Sequence, residues 1–293
     1  MRIGNEPLRI AFQGEPGAFS EEAAHRLLGE DVVTVPRQTF DAAFASIAEE
    51  EADALLVPVE NSLAGSVLRV YDLLLESELT IAAETILPVE LHLIGCPGAT
   101  LPTIRSVESH PMALAQCERL FREHPHWSRV AVDDTAGSVR SVVQSAEVWR
   151  AAIAGPRAAQ IHGGVILARD VQDSTGNFTR FLLLTDARDD EAAGDKLTLA
   201  VRLAHLPGAL LAALEPFASR GLNLLKIESR PIHGCPWEYQ FFLDVQAGPG
   251  TPVDEALAEL RQRAQFVRVL GRYMAAPPAV EELKAKAATW RVN

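Results

Sequence analysis

The segment Gly176-Asn177-Phe178-Thr179-Arg180-Phe181 gathers an amide, a hydroxyl and a guanidinium at the mouth of an apolar run that ends at Leu184. On an extended strand Thr179 and Phe181 face one side and Arg180 the other, yet both can approach a cleft at the strand's first turn. Arg180 offers a fork that fits a carboxylate. The competing reading of Arg180 is a surface residue in a paired strand. Four other turns place small or polar residues straight after an apolar run. They are Gln13-Gly14-Glu15-Pro16-Gly17-Ala18-Phe19-Ser20, Glu60-Asn61-Ser62-Leu63-Ala64-Gly65-Ser66, Ser109-His110-Pro111 and Asp133-Asp134-Thr135-Ala136-Gly137-Ser138. Such turns collect beyond the carboxyl ends of parallel strands, where ligands bind. Free N–H groups and the helix dipole suit anions there, and Ser62, Ser109 and Thr135 add hydroxyl donors. Several neutral donor sets around one cleft fit a small dicarboxylate. The same residue types also make ordinary helix caps, worth about 1 kcal/mol each.

Other catalytic signatures are missing from the sequence. There is no Gly-x-Ser-x-Gly elbow, no phosphate loop ending Gly-Lys-Ser/Thr and no His-Glu-x-x-His. Gly14 and Gly17 do not complete a dinucleotide fingerprint. His124 and His126 flank Pro125 without a third ligand nearby, so no metal and no cofactor are expected. His110, beside Pro111, reads as a general base or a helix cap. Asp133 and Asp134 read as a strand-end turn. Cys96, Cys117 and Cys235 are odd in number and far apart, the pattern of neither a disulfide framework nor a zinc knuckle.

The elements that must hold these residues alternate in the α/β manner. Strands are expected at 8–12, 32–35, 54–59, 104–108, 129–132, 151–154, 165–169 and 179–184. Helices are expected at 20–28, 39–49, 66–75, 112–123, 136–146 and 156–161, with 86–94 extended and crossing into a second unit. The charged stretch Asp186–Asp195 reads as a linker. Beyond it the order becomes strand 196–204, helix 207–220, strands 223–232 and 239–245, helix 254–264 and strand 266–272. That βαββαβ order is an α+β ferredoxin-like sandwich, with helices on one face of an antiparallel sheet. The domains expected are therefore 8–185 and 196–273, followed by a tail at 274–293.

The 293 residues are 48% hydrophobic and 23% charged, enough apolar matter for sizeable cores. Lys plus Arg number 27 against 39 Asp plus Glu, a net charge of −12 that argues against nucleic-acid and anionic-membrane partners. The start lacks the apolar stretch of a signal peptide and no apolar run reaches spanning length, so a soluble, cytoplasmic protein is expected.

Taken together these segments resemble prephenate dehydratase over nearly the whole chain. The resemblance rests on Gln13–Ser20, on Pro58-Val59-Glu60-Asn61-Ser62 with Gly65-Ser66, and on Ser109-His110-Pro111 with Ala113-Leu114-Ala115-Gln116-Cys117. Asp134-Thr135-Ala136-Gly137 and Asn177–Phe181 follow in the same order. The C-terminal region resembles an ACT regulatory domain through Gly208-Ala209-Leu210-Leu211 and Glu228-Ser229-Arg230-Pro231. This resemblance implies a two-lobed catalytic region like periplasmic-binding proteins, with crossings near 80–90 and 170–178. It implies decarboxylating dehydration of prephenate to phenylpyruvate, and feedback by L-phenylalanine through a self-associating ACT domain. Thr179, Ser109 and Thr135 would be catalytic, while Glu60, Asn61, Ser62, Asn177, Arg180 and Phe181 would bind substrate. Gly208, Ala209, Leu210, Leu211, Asn223, Glu228, Ser229 and Arg230 would form the effector site, with Glu228 and Arg230 alternatively pairing with each other. The nearest alternatives are arogenate dehydratase, which Glu60 would favour, and a catalytically silent amino-acid sensor.

Overall fold

The computed structural model describes residues 7–186, 194–232 and 234–277. The chain opens with β1 (Arg9–Gln13), α1 (Phe19–Leu28), β2 (Val33–Arg37), α2 (Phe40–Ala48), β3 (Ala54–Asn61), β4 (Gly65–Ser66), α3 (Leu68–Glu76) and β5 (Thr80–Pro88). It continues with β6 (His92–Gly95), β7 (Ser106–Ser109), α4 (Pro111–Ala115), α5 (Glu118–Glu123) and β8 (Ser128–Ala131). Then come α6 (Thr135–Ser145), β9 (Arg150–Ala154), α7 (Pro156–His162), β10 (Val165–Ala168) and β11 (Phe178–Thr185). The last stretch holds β12 (Lys196–Arg202), α8 (Ala209–Ala218), β13 (Leu224–Ile232), β14 (Cys235–Gln246), α9 (Val253–Arg263) and β15 (Phe266–Tyr273). Most of the expected linker and of the tail, 187–193 and 278–293, lies outside the described residues.

Two compact units emerge: residues up to Val67 with Thr85–Phe181, and Leu68–Glu84 with Leu182–Ala276. The first contains two lobes. One is built on the sheet β2-β1-β3-β11-β5, with β4 folded back on the end of β3. The other is built on β10-β6-β9-β7-β8. Strand and helix alternate so regularly that parallel pairing is the natural expectation. It holds for β1 with β2 and β3, and for β7 with β8 and β9. It fails for β6, which is antiparallel to both β9 and β10. β6 follows β5 after only Val89-Glu90-Leu91 and lies in the other sheet, so it enters that sheet from the neighbouring lobe and not through a strand–helix–strand unit of its own.

The two connections between the lobes bond to each other. Val171 N donates to Leu91 O at 2.8 Å and Val89 N to Asn177 O at 2.8 Å. The Gln172 carboxamide accepts from Leu91 N at 2.8 Å. The helix expected over 112–123 breaks at Gln116 and Cys117, and the cause lies on one of these connections. The Asp173 carboxylate accepts from the Glu118 and Arg119 N–H groups at 2.7 and 2.9 Å, capping a second, separate helix.

A further contact joins the lobes at the turn after β1, which is packed rather than open. Phe12 and Ala18 share a buried cluster with Ala136, Val139, Val142, Ala154 and Ala158. Gly17 has φ +92, and a Cβ there would lie 2.7 Å from the Ala158 Cα. Only glycine meets both conditions. Glu21 closes the contact, accepting from Gly17 N at 2.7 Å and from Arg157 Nε at 3.2 Å. Burial works to raise the Glu21 carboxyl, but these donors and the Thr34 hydroxyl outweigh it and hold its pKa below the usual range.

The second unit shows the βαββαβ order as one antiparallel sheet, β13-β14-β12-β15, a ferredoxin-like fold that fits an ACT-like domain. Leu199, Val201, Leu243 and Val245 meet Phe217 of α8 and Leu257 and Leu260 of α9 on one face. On the other face α3 sets the Tyr71 ring 4.7 Å from the Phe242 ring. Among the described residues no helix is long and apolar enough to cross a membrane.

Candidate active site

Thr179 sits at the start of β11, and the end of β3 holds it there. Ser62 N donates to Phe178 O at 2.8 Å. The Ser62 hydroxyl donates to Gly176 O at 2.7 Å and accepts from Phe178 N at 2.9 Å. Asn61, one residue earlier, accepts at Oδ1 from the Leu63 and Ala64 N–H groups at 3.0 and 2.8 Å. Those two bonds fix which end of the amide faces inward, so Nδ2 must be the end that faces Thr179. It donates to Thr179 Oγ1 at 2.9 Å, Asn177 Oδ1 at 2.7 Å and Phe178 O at 3.1 Å. Asn177 Nδ2 in turn donates to Gln116 Oε1 at 3.0 Å. A polar chain thus runs from Gln116 in one lobe through Asn177 and Asn61 to the Thr179 hydroxyl.

The direction of the last bond decides what Thr179 can do. Its oxygen accepts from Asn61, so its own hydrogen is left to point at another acceptor. Thr179 is 9% exposed, shielded enough for a hydrogen bond to count for more than it does in water. The arrangement supplies a preorganised donor for an oxygen that gains negative charge.

The other expected residues are placed differently. Ser109 is fully buried, and its hydroxyl donates to Ile153 O at 2.6 Å, linking β7 to β9. Both bonding directions of the Ser62 hydroxyl are taken up by the clip to β11. Thr135 is the first residue of α6, half-buried, and its hydroxyl has no partner among the described residues. Glu60 and Arg180 are half-buried on β3 and β11, whereas Phe181 is a core side chain at 1% exposure. Among the described residues no hydrogen bond joins Ser109 or Thr135 to the amide chain.

At α4 and α6 a side chain caps the helix start. His110 Nδ1 accepts from Met112 N at 3.2 Å, so it caps α4. Asp134 accepts from Gly137 N and caps α6. Burial pushes the Asp134 carboxyl above its ordinary pKa, the Gly137 N–H offsets part of this, and the Glu15 carboxylate adds to the rise. The anion-binding reading of these turns therefore gives way to capping at His110 and Asp134, because a side chain already fills each helix start.

For metals, Glu90, His92 and Asp170 bring ligand atoms within 4.8 Å of one another. His92 Nδ1, however, accepts from Asp170 N at 3.0 Å, which puts the proton of the neutral ring on Nε2. Neither nitrogen is then free for a metal. The His124 ring stacks on Trp127 at 3.9 Å.

In the second unit Gly208, with φ +79, begins α8 without a side-chain cap. Ala209 and Leu210 are half-buried, Leu211 is 75% exposed, and Asn223 is exposed. Neighbouring residues of β13 face opposite sides. Ser229 is exposed, while Glu228 and Arg230 turn toward α3, where Arg230 meets Asp72 at 2.7 Å. Glu228 lies 3.6 Å from Lys226. The alternative pairing of Glu228 with Arg230 gives way to these partners.

Gln116 was not singled out from sequence as a site residue. Its signal, an amide at the end of the short helix after Ser109-His110-Pro111, acquires meaning only when β11 brings Asn177 to it.

Comparison with known proteins agrees with this architecture. The family profile for PDT, prephenate dehydratase, matches residues 10–189. Arogenate dehydratase/prephenate dehydratase 2, chloroplastic, of Arabidopsis thaliana is 40% identical over 280 residues, covering 91% of this chain and 72% of that one. The crystal structure of prephenate dehydratase from Arthrobacter aurescens in complex with L-Phe superposes with a TM-score of 0.83 at 33% identity, covering 97% and 98%. The structure of GqqA, described as a novel type of quorum-quenching acylase, superposes with a TM-score of 0.85 at 36% identity, covering 92% and 98%. With its 10–189 segment matched and such relatives over most of its length, the chain belongs to the prephenate dehydratase family.

Proposed function

We propose that the protein is a cytoplasmic prephenate dehydratase, converting prephenate to phenylpyruvate, water and CO₂ in phenylalanine synthesis. Residues 8–185 are assigned to catalysis and 196–273 to regulation. The observation that carries the reading is the bond from Asn61 Nδ2 to Thr179 Oγ1, in a chain of this family. As the ring carboxylate leaves as CO₂, its electron pair enters the ring and the bond to the ring hydroxyl breaks. The departing oxygen gains negative charge, receives the hydrogen bond of Thr179 and leaves as water once protonated. Aromatisation drives the step. Arg180 would hold the side-chain carboxylate and Thr135 would add a second hydroxyl donor. Asn61, Asn177, Ser62 and Ser109 would position these groups.

L-Phenylalanine is proposed as the effector, bound by the second unit in a self-associated form. The support is the ACT-like sheet together with the L-Phe complex of the Arthrobacter protein. Arogenate differs from prephenate in carrying an ammonium, which half-buried Glu60 could meet, and the Arabidopsis relative carries both names. The likeness to GqqA favours a second reading, amide deacylation. That chemistry needs a nucleophile beside a base. The neighbour of Thr179 is the donor end of an amide, which cannot take a proton.

The test is turnover of the purified protein on prephenate, arogenate and an N-acyl amide in separate assays, with and without L-phenylalanine. Prephenate turnover suppressed by L-phenylalanine is expected. Arogenate preference would keep the elimination and change its substrate. Turnover of the acyl amide alone would replace the reading.

A further inference from the structure

On the α3 face of the second unit a cavity of about 700 Å³ opens between α3 and the paired ends of β13 and β14. That volume lies in the range of small-molecule sites. Three arginines line it, and two are answered. Arg69 meets Glu76 at 3.1 Å and Arg230 meets Asp72 at 2.7 Å. Arg202 has no carboxylate among the described residues. Its Nε is buried without a hydrogen-bond partner. Its guanidinium carbon lies 6.0 Å from the centroid of the Phe266 ring. Among the described residues the lining therefore carries one positive charge that no carboxylate answers.

Register places this charge on a defined face. Arg202 pairs with Gln240 across β12 and β14, and Gln240 pairs with Arg230 across β14 and β13. Directly opposed residues share a face, and Arg230 faces Asp72 of α3. Gly208–Leu211 begin α8, on the opposite face of the sheet. The cavity is thus on the other face from that helix start, while Arg230 of the expected effector set is part of its lining.

Its outer wall is Trp237, 78% exposed. The backbone there has φ +68, a left-handed conformation that large side chains seldom adopt. The lining thus includes both a broad aromatic face and a guanidinium without a carboxylate among the described residues, with Pro236 and Leu75 adding apolar wall. One cation suits one carboxylate, and a flat apolar wall suits a ring.

We propose that this cavity is a binding site for an aromatic monocarboxylate, its carboxylate on Arg202 and its ring against Trp237. A free ammonium is no part of the recognised group, because Asp72 and Glu76 are already paired.

The test is isothermal titration of the full chain with 3-phenylpropionate. Arg202→Gln is expected to weaken binding at least tenfold, and Trp237→Ala severalfold. Gln240→Glu, which sets a carboxylate beside Arg202 without removing the arginine, is expected to match Arg202→Gln and covers the case where that variant fails to fold. Asn61→Ala is expected to bind 3-phenylpropionate as the parent does. Unchanged binding in a folded Arg202→Gln or Gln240→Glu protein would overturn the proposal. So would binding lost in Asn61→Ala and kept in Gln240→Glu, which would place the ligand at the candidate active site.

Discussion

Asn61 donates to Thr179 Oγ1 at 2.9 Å while its own carbonyl oxygen is held by two backbone N–H groups. The threonine hydrogen is therefore turned away from Asn61, toward whatever acceptor is presented to it. This is a statement about polarity as much as distance. A carboxylate at position 61 would fit the same space and reverse the bond.

Removing the hydroxyl should remove most of the rate. Thr179→Ala is expected to lose about 10²–10³ in kcat, the usual effect of deleting one preorganised donor. Thr179→Ser should keep part of the activity, its freer hydroxyl being less well aimed. Steady-state kinetics on prephenate, with circular dichroism to confirm the fold, checks both.

Asn61→Asp distinguishes polarity from packing. The aspartate oxygen would accept the Thr179 hydrogen and place a negative charge near a dianionic substrate. Its kcat is expected to fall as far as that of Thr179→Ala, and its Tm is expected to fall as well, because the new carboxylate oxygen faces Asn177 Oδ1 and Phe178 O where the amide donated to both. Asn61→Asp activity close to the parent's would mean that Thr179 does not act as the donor.

The buried pair Lys196–Glu84 tests the second unit. Nζ lies 3.0 and 2.9 Å from the two carboxylate oxygens, with side chains 9% and 1% exposed. Breaking such a pair strands a buried charge, so Lys196→Met is expected to cost about 3–5 kcal/mol. The double variant Lys196→Met/Glu84→Gln should recover much of that loss. Urea denaturation of the four proteins of the cycle measures the coupling.

Gly17→Ala should loosen the contact between the lobes. The new Cβ meets the Ala158 backbone at 2.7 Å and the φ of +92 strains any side chain. A destabilisation of about 1–3 kcal/mol is expected, as for other overpacked sites. Differential scanning calorimetry should show the lower Tm, and Ala158→Gly should restore little, because the strained backbone at position 17 stays.

Acid should weaken the connection near His92. Burial lowers its pKa, with the Asp170 carboxylate pulling it partly back up. The unfolded chain then takes the proton first as pH falls. The stability His92 contributes is present above the unfolded value of about 6.5 and is lost as pH drops below it toward the folded value. His92→Gln is expected to flatten the fall in the urea midpoint between pH 7 and pH 5. An equal slope in both proteins would show that His92 does not carry it.

How much could be read in advance divides by range. Composition, the strand–helix alternation and the βαββαβ order at the C-terminus follow from local periodicity, because burying one face of each element imposes a period of two or near four. The motif residues Asn61, Asn177 and Thr179 could be named for the same reason that their turns could, since helix starts and strand mouths announce themselves in Ser, Thr, Asn and Pro. Their roles follow only from the family resemblance, and their bonds to one another cannot be read from sequence. Asn61 and Thr179 are 118 positions apart, and Asn177 and Gln116 are 61 apart. Which end of each amide points inward depends on N–H groups that only the folded turn presents. The antiparallel β6, the helix broken by Asp173 and the packed turn at Gly17 share that origin. Each is set by a partner distant in sequence, and a single chain read from one end records a residue's type but not the group that will lie across from it.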